Sequence, residues 1–281
     1  MTQTLVRSCL RYPGGKSRMV KYLNKFIPLG MDWLDYVEPF VGGGSMFLWV
    51  RQNYPGKSYW INDKYYNLYC FWTSLRDNPN GLVVRISSLK NAFPNKESGR
   101  ELFALANAVL RSSDSLDPLE VAANFYIVNK CSFSGLTQDS SYAPQAYDQN
   151  FGWGVIRKFP QISRLLQGVR ITNLDYTELL LDDDRTFIYL DPPYDIKYAL
   201  YGGDKGSLHK GFDHLSFFNR VSRLERSKWL LSYNDNPLIR DLYADFSVDD
   251  KFSGSYTMNC PRTEERGKKK SKGNSELVVW N

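Results

Sequence analysis

Three short apolar runs, each carrying an acid at or near its end, constrain the fold of this 281-residue chain more than any other feature. They are Tyr36-Val37-Glu38-Pro39-Phe40, Tyr59-Trp60-Ile61-Asn62-Asp63 and Phe187-Ile188-Tyr189-Leu190-Asp191. Each is followed by a turn or a helical stretch, the alternation that builds an α/β sheet. Further strands are predicted at 169–172, 229–233 and 277–280. In open sheets of this kind ligands gather beyond the carboxyl ends of the strands, so Glu38, Asp63 and Asp191 are expected together on one rim.

Between about residues 64 and 165 the pattern changes, with apolar side chains at helical spacing in 101–110 and 119–128. The polar stretch Cys131-Ser132-Phe133-Ser134-Gly135-Leu136-Thr137-Gln138-Asp139 follows and reads as an exposed loop or hairpin near 131–147. Residues 1–63 and 166–281 are therefore expected to form one α/β unit, with 64–165 a helical insertion. The stretch 195–212, rich in glycine and charge, is expected to act as a lid, and the basic run 266–272 as a flexible loop before the last strand.

Composition narrows the function classes. Aromatic residues make up 15% of the chain, more than a small core needs, and aromatic faces are natural platforms for bases. The net charge of +6 suits a polyanionic partner. Cys9, Cys70, Cys131 and Cys260 form no CxxC pair and read as free thiols in a reducing compartment. With two histidines, His209 and His214, a His/Cys zinc cluster cannot be assembled, and no metal site is expected; the two are expected at the surface. No signal peptide or long apolar run is present, so the chain is expected to be soluble and cytoplasmic, without a membrane partner.

Glu38-Pro39-Phe40-Val41-Gly42-Gly43-Gly44-Ser45 is a strand, a glycine turn and a helix start. Such a turn lets a ligand approach the backbone, which makes Glu38, Phe40, Gly42 and Gly44 binding candidates. Asp63 follows Gly42 by about the 20 residues at which a second-strand carboxylate meets a ribose in nucleotide folds. The dinucleotide fingerprint is incomplete, because Phe47 stands in place of its last glycine; a nucleoside without a pyrophosphate fits better. Tyr12-Pro13-Gly14-Gly15-Lys16-Ser17 resembles part of a P-loop, but Leu10 replaces its required first glycine and no apolar strand precedes it. The segment still offers an aromatic ring, a turn and a cation.

Asp191-Pro192-Pro193-Tyr194 is the most specific motif. A carboxylate and a proline-constrained carbonyl can accept the two N–H bonds of an aromatic amino group, favouring a more tetrahedral and more nucleophilic nitrogen. Tyr194 offers a face on which an extruded base can stack.

Taken together these motifs resemble the Dam-type, D12 class DNA adenine-N6 methyltransferases. The resemblance runs through Arg11 to Lys16, the glycine turn, Asn62-Asp63, Asp175 in Asn173-Leu174-Asp175-Tyr176, the Asp191–Tyr194 turn and the final strand from Glu276. It implies a Rossmann-like S-adenosylmethionine-dependent methyltransferase sheet with an inserted helical target-recognition domain. It implies that Tyr12, Lys16, Asp63 and Asp191 contact S-adenosylmethionine, Asp63 on the ribose, and that Asp175 accepts from the cofactor's adenine; a helix cap is the alternative role for Asp175. Asp191, Pro192 and Tyr194 become the catalytic candidates. The partner implied is double-stranded DNA, met by Lys130, Phe133, Ser134 and Gln138, with Phe133 as an intercalating wedge and Lys130 as an anchor. A restriction endonuclease is a compatible further partner, although no residue of the chain encodes one. The chain departs from the GATC-methylating members at Gln138, where they carry Arg, so GATC specificity does not follow. Relatives acting on protein glutamine typically carry Asn at position 191 and cytosine-N4 enzymes Ser, which sets Asp191 against both; methylation of RNA and a decayed DNA-binding protein are the remaining alternatives.

Overall fold

In a computed structural model of the chain, the structure describes residues 5–12, 15–28, 33–135, 140–194, 211–252 and 276–281. The strands are β1 (Asp35–Glu38), β2 (Ser58–Asn62), β3 (Arg170–Thr172), β4 (Thr186–Leu190), β5 (Lys228–Asn234), β6 (Ser247–Asp249) and β7 (Glu276–Trp280). The α-helices are α1 (Val20–Leu23), α2 (Ser45–Asn53), α3 (Tyr66–Asp77), α4 (Pro79–Ala92), α5 (Lys96–Arg111), α6 (Pro118–Cys131), α7 (Pro144–Asn150), α8 (Trp153–Ile156), α9 (Phe159–Leu166), α10 (His214–Val221) and α11 (Pro237–Leu242). Several helices begin with the same local signal, an Asn or Asp cap followed by proline: Asn78, Asp117 and Asn236 each accept a backbone N–H of the first turn.

The strands form one seven-stranded sheet in the order β3-β2-β1-β4-β5-β7-β6. β1 to β5 are parallel, while β7 runs antiparallel to both β5 and β6. This is the α/β, Rossmann-like sheet expected from the sequence. The order reverses between β1 and β4, and such a switch point opens a crevice at the carboxyl ends of the strands. All five residues of β4 are buried, the mark of a parallel strand covered on both faces. Alternation along the strands sorts side chains to two cores: Tyr36, Phe187, Tyr189, Leu230 and Val278 face one, and Val37, Ile188, Leu190, Leu231 and Val279 the other.

The helices of the 64–165 region do not build a separate core. Leu68, Phe71, Phe125, Tyr126 and Phe159 belong to the same hydrophobic cluster as Tyr36, Tyr189 and Val278. At its centre α6 is buried from Val121 to Cys131, so this helix is packed on all sides rather than amphipathic. The loop expected near 131–147 is closed by an antiparallel bridge between Ser132 and Tyr142, with a 3-10 turn at Phe133–Gly135 inside it. Leu136 to Asp139, with Gln138, lies outside the described residues, as do 195–210 of the expected lid and the basic run 266–272. Among the described residues no helix is long and apolar enough to cross a membrane.

Candidate active site

Beyond the carboxyl ends of the parallel strands lies a cavity of about 420 Å³. Glu38 ends β1, Asp63 follows β2, Asp175 lies three residues after β3, and Asp191 follows β4 directly; all four line the cavity. Carboxylates from separate strands, spread along the sequence, thus converge because parallel strands deliver their ends to one edge.

The glycine turn shapes one wall. Gly42 has a φ of 46°, and a Cβ there would stand 2.9 Å from Cε1 of Tyr12. A side chain at this position is excluded by both backbone and ring, so the tyrosine lies directly on the turn. The Gly42 N–H donates to Asp63 Oδ2 at 3.0 Å, and the Tyr65 N–H donates to Asp63 Oδ1 at 3.0 Å. Burial pushes the Asp63 carboxyl up to about 6, with those two N–H donors opposing the rise. Glu38 is buried, accepts from the Tyr36 hydroxyl at 2.6 Å, and is held well above the carboxylate range, chiefly by burial.

On the opposite side Lys16, only 3% exposed, donates to Asp191 Oδ1 at 2.7 Å and to the Tyr194 hydroxyl. Ser232 of β5 donates to the same Asp191 oxygen at 3.3 Å. Burial raises the Asp191 carboxyl and Lys16 opposes it. Asp191 keeps 21% side-chain exposure toward the cavity, whereas the ring of Tyr194 is buried against Tyr233 with centroids 5.9 Å apart. Tyr194 was expected to present a stacking face; here its hydroxyl donates to Glu276 at 2.7 Å and its ring is interior. Pro193 lines the cavity beside Asp191, and the backbone of Pro192 lies between them.

Asp175 has the helix-cap role and also lines the cavity. It caps the 3-10 turn Tyr176–Leu179, accepting from the Thr177 N–H at 3.2 Å and the Thr177 hydroxyl at 2.8 Å. It also lines the cavity, where Lys64 lies 3.6 Å away. Phe40, Tyr176 and Phe212 make a cluster of rings on this wall, with centroids 5.5–5.8 Å apart. Tyr176 follows Asp175 in its motif, whereas Phe212 and Arg220 carry no motif in the sequence, so only the shared wall identifies those two. His214 is a correction: instead of a plain surface residue it is half-buried, its Nδ1 paired with the Tyr233 hydroxyl. His209 lies outside the described residues.

The DNA-facing candidates separate. Phe133, the first residue of its turn, is 43% exposed. Lys130, expected to anchor DNA, is instead 4% exposed inside α6, its ammonium 5.5 Å from the Tyr126 ring. Burial lowers it to about 8, and it is out of reach of a phosphate. Of Ser134 only the backbone is described, within the turn. Arg11 ties that turn to the sheet unit. Its guanidinium donates to the carbonyls of Lys130 at 3.3 Å and Ser132 at 3.0 Å, and its N–H donates to Asn129 Oδ1 at 2.9 Å. Gly135, with a φ of 74°, packs so closely that a Cβ would stand 2.6 Å from that of Arg11.

A doubly wound sheet with a reversed seventh strand, acids at its switch point and an Asp-Pro-Pro-Tyr turn defines a methyltransferase of the α/β class. The chain belongs to the D12 class N6 adenine-specific DNA methyltransferase family, whose pattern matches residues 12–252. It is similar to the Type II methyltransferase M.MjaIII of Methanocaldococcus jannaschii, at 24% identity over 98% of this chain and 99% of that one. It is also 24% identical to the Type II methyltransferase M.CviBI of Paramecium bursaria Chlorella virus NC1A, over 85% of this chain and 86% of the relative. The DNA adenine methylase of Haemophilus influenzae is 23% identical over 84% of this chain and 82% of its own. Family membership makes this chain an enzyme, a DNA adenine-N6 methyltransferase.

Proposed function

We propose that the enzyme uses S-adenosylmethionine to methylate N6 of an adenine flipped out of duplex DNA at a short site, with Asp191 at the reacting nitrogen. The observation that carries this reading is the convergence of Glu38, Asp63, Asp175 and Asp191 on one cavity, with Lys16 held on Asp191. When bound, the cofactor supplies a methyl group already activated on a sulfonium. The residues present fit such a group. Asp63, braced by two N–H donors, suits a ribose diol; Asp175, beside the rings of Phe40 and Tyr176, suits an adenine. Tyr12 over Gly42, the backbone of Gly44, and the buried acids Glu38 and Asp191 suit the cationic end, with Lys16 setting the charge around Asp191.

In this reading Asp191 and the Pro192 carbonyl accept the two N–H bonds of the adenine amino group and localise its lone pair. With the cofactor bound, the nitrogen would take up its methyl group, and the proton the amino group loses would pass by way of the Asp191 carboxylate to solvent. Positioning and charge complementarity carry the rate. Helices of 64–165 and the turn at Phe133 serve as the target-recognition insertion, with the exposed ring filling the gap left by the base.

The test is Asp191→Ala, with labelled methyl transfer offered to DNA, RNA and protein in parallel. Wild type is expected to label DNA on adenine, and the variant to lose at least about a hundredfold, the scale of removing one group aligned on a transition state. Circular dichroism shows whether the fold is intact. A folded variant within about tenfold of wild type would overturn the assignment of Asp191.

A further inference from the structure

Glu276 belongs to no motif with an assigned role, yet it is the most deeply buried acid near the candidate site after Glu38, with 5% side-chain exposure. It stands at the first position of β7, paired with Asn234 at the end of β5. From there it reaches the cavity through two residues. The Tyr194 hydroxyl donates to Glu276 Oε2 at 2.7 Å, and Lys16 Nζ lies 4.0 Å from Glu276 Oε1. Lys16 in turn donates to Tyr194 and to Asp191 Oδ1, and its ammonium sits 4.7 Å from the centroid of the Tyr194 ring.

The charge count of this cluster is unusual. Among the described residues one ammonium lies within 4.0 Å of two buried carboxylates, so with both acids ionised these three groups together carry a negative charge where a simple Lys16–Asp191 pair would be neutral. A carboxylate fully neutralised by a buried ammonium is a weaker acceptor for a third group. Drawing Lys16 partly toward Glu276 leaves Asp191 stronger, and the Tyr194 bridge holds that arrangement in place. We propose that Glu276 is a positioning residue for methyl transfer: through Tyr194 and Lys16 it sets both the geometry and the net charge with which Asp191 meets the adenine amino group. This rests on the assignment of Asp191 to the reacting nitrogen. Burial raises both the Glu276 and Asp191 carboxyls, each opposed by Lys16, in keeping with two acids competing for one cation.

The experiment compares Glu276→Gln, Tyr194→Phe and the double variant, as purified full-length enzyme acting on methylase-free genomic DNA. Glu276→Gln is expected to lower kcat by about tenfold or more while the KM for S-adenosylmethionine stays within about threefold, because Lys16 then neutralises Asp191 more fully and the carboxylate meets the reacting nitrogen as a weaker acceptor. Removing a neighbouring negative charge also makes Asp191 easier to ionise, so the acidic fall in kcat moves to lower pH. Among the described residues the other titratable groups facing the cluster are Lys16, Glu38, Asp63, Tyr189, Tyr194 and Tyr233, the last paired with His214, and they are unchanged in this variant. Tyr194→Phe is expected to show a comparable loss, and the double variant little more than either alone, since both break one path.

A purely structural glutamate would neither move the pH profile nor couple to Tyr194. If Glu276→Gln keeps kcat within about twofold with an unmoved acidic limb, or if the two losses multiply, the proposal is overturned. Should Glu276→Gln fail to fold, full activity in Tyr194→Phe overturns it equally. Those results with an inactive Asp191→Ala would leave the assigned function standing; an active Asp191→Ala would remove both.

Discussion

At the scale of single residues, Asp63 shows how burial turns a common acid into a pH-sensitive binding group. Its carboxyl rises from 3.8 to about 6, so the folded chain holds a proton there that the unfolded chain has released across that window. With the folded value raised, this acid favours folding below 3.8 and loses that contribution as pH rises through 6. Binding runs the other way. Ribose hydroxyls favour the ionised acceptor, so cofactor affinity is expected to rise with pH through about 6 and level above it. Calorimetric titration with S-adenosylhomocysteine should find roughly tenfold weaker binding one unit below that midpoint. Asp63→Asn should bind more weakly at neutral pH and largely lose this dependence; an unaltered pH slope in that variant would show that another group is responsible. The proximity of Gly42 and Asp63 was legible from their spacing, but the raised carboxyl was not, because burial depends on what packs over the turn.

At the scale of elements, the turn Phe133–Gly135 is an outward ring on a rigid mount. The mount is made of Asn129 in α6, which exchanges hydrogen bonds with the backbone of Arg11, and of Arg11 itself, which grips the carbonyls at the end of that helix. Phe133→Ala should therefore leave stability nearly unchanged, because the ring is exposed, while lowering methylation of duplex DNA more than of single-stranded DNA. Asn129→Ala breaks the mount itself and leaves buried backbone groups unpaired, costing on the order of 1–3 kcal/mol of stability. Equal losses on duplex and single strand for Phe133→Ala would refute the wedge. The sequence pattern predicted a helix over 119–128, which the structure has; of the exposed loop expected after it, Phe133 is exposed while Cys131, Ser132 and Gly135 are buried, and Pro144–Asn150 is a helix. It misplaced Lys130, since a cation near a helix end reads as exposed unless the neighbours enclosing it are known. Here α6 is buried from Val121 to Cys131, and the ammonium turns inward beside Tyr126.

At the scale of the whole molecule, the helices of 64–165 and one face of the sheet share a single hydrophobic core. Phe71 and Tyr126, stacked 5.9 Å apart in the helical region, belong to the same cluster as Tyr36 and Tyr189 of the sheet. The chain is expected to unfold in one cooperative calorimetric transition rather than as sheet and insertion in turn. Phe71→Ala, removing a fully buried ring, should cost roughly 3–5 kcal/mol and lower that one transition as a unit. Two resolved transitions, with only one shifted by the substitution, would show that the insertion folds on its own.

The sequence alone determined the short apolar strands, the helical spacing of 101–110 and 119–128, the glycine turn, and which acids stand at strand ends. These are local patterns, encoded in residues close along the chain, and the parallel sheet that follows brings Glu38, Asp63 and Asp191 to one rim. Only the tertiary structure decided which charges are shared. Lys16 and Asp191 are separated by 175 positions, and Tyr194 and Glu276 by 82. No local propensity encodes such pairs. The second forms because β7 inserts antiparallel beside β5, carrying Glu276 to the back of the site, where burial removes water and makes each remaining partner count.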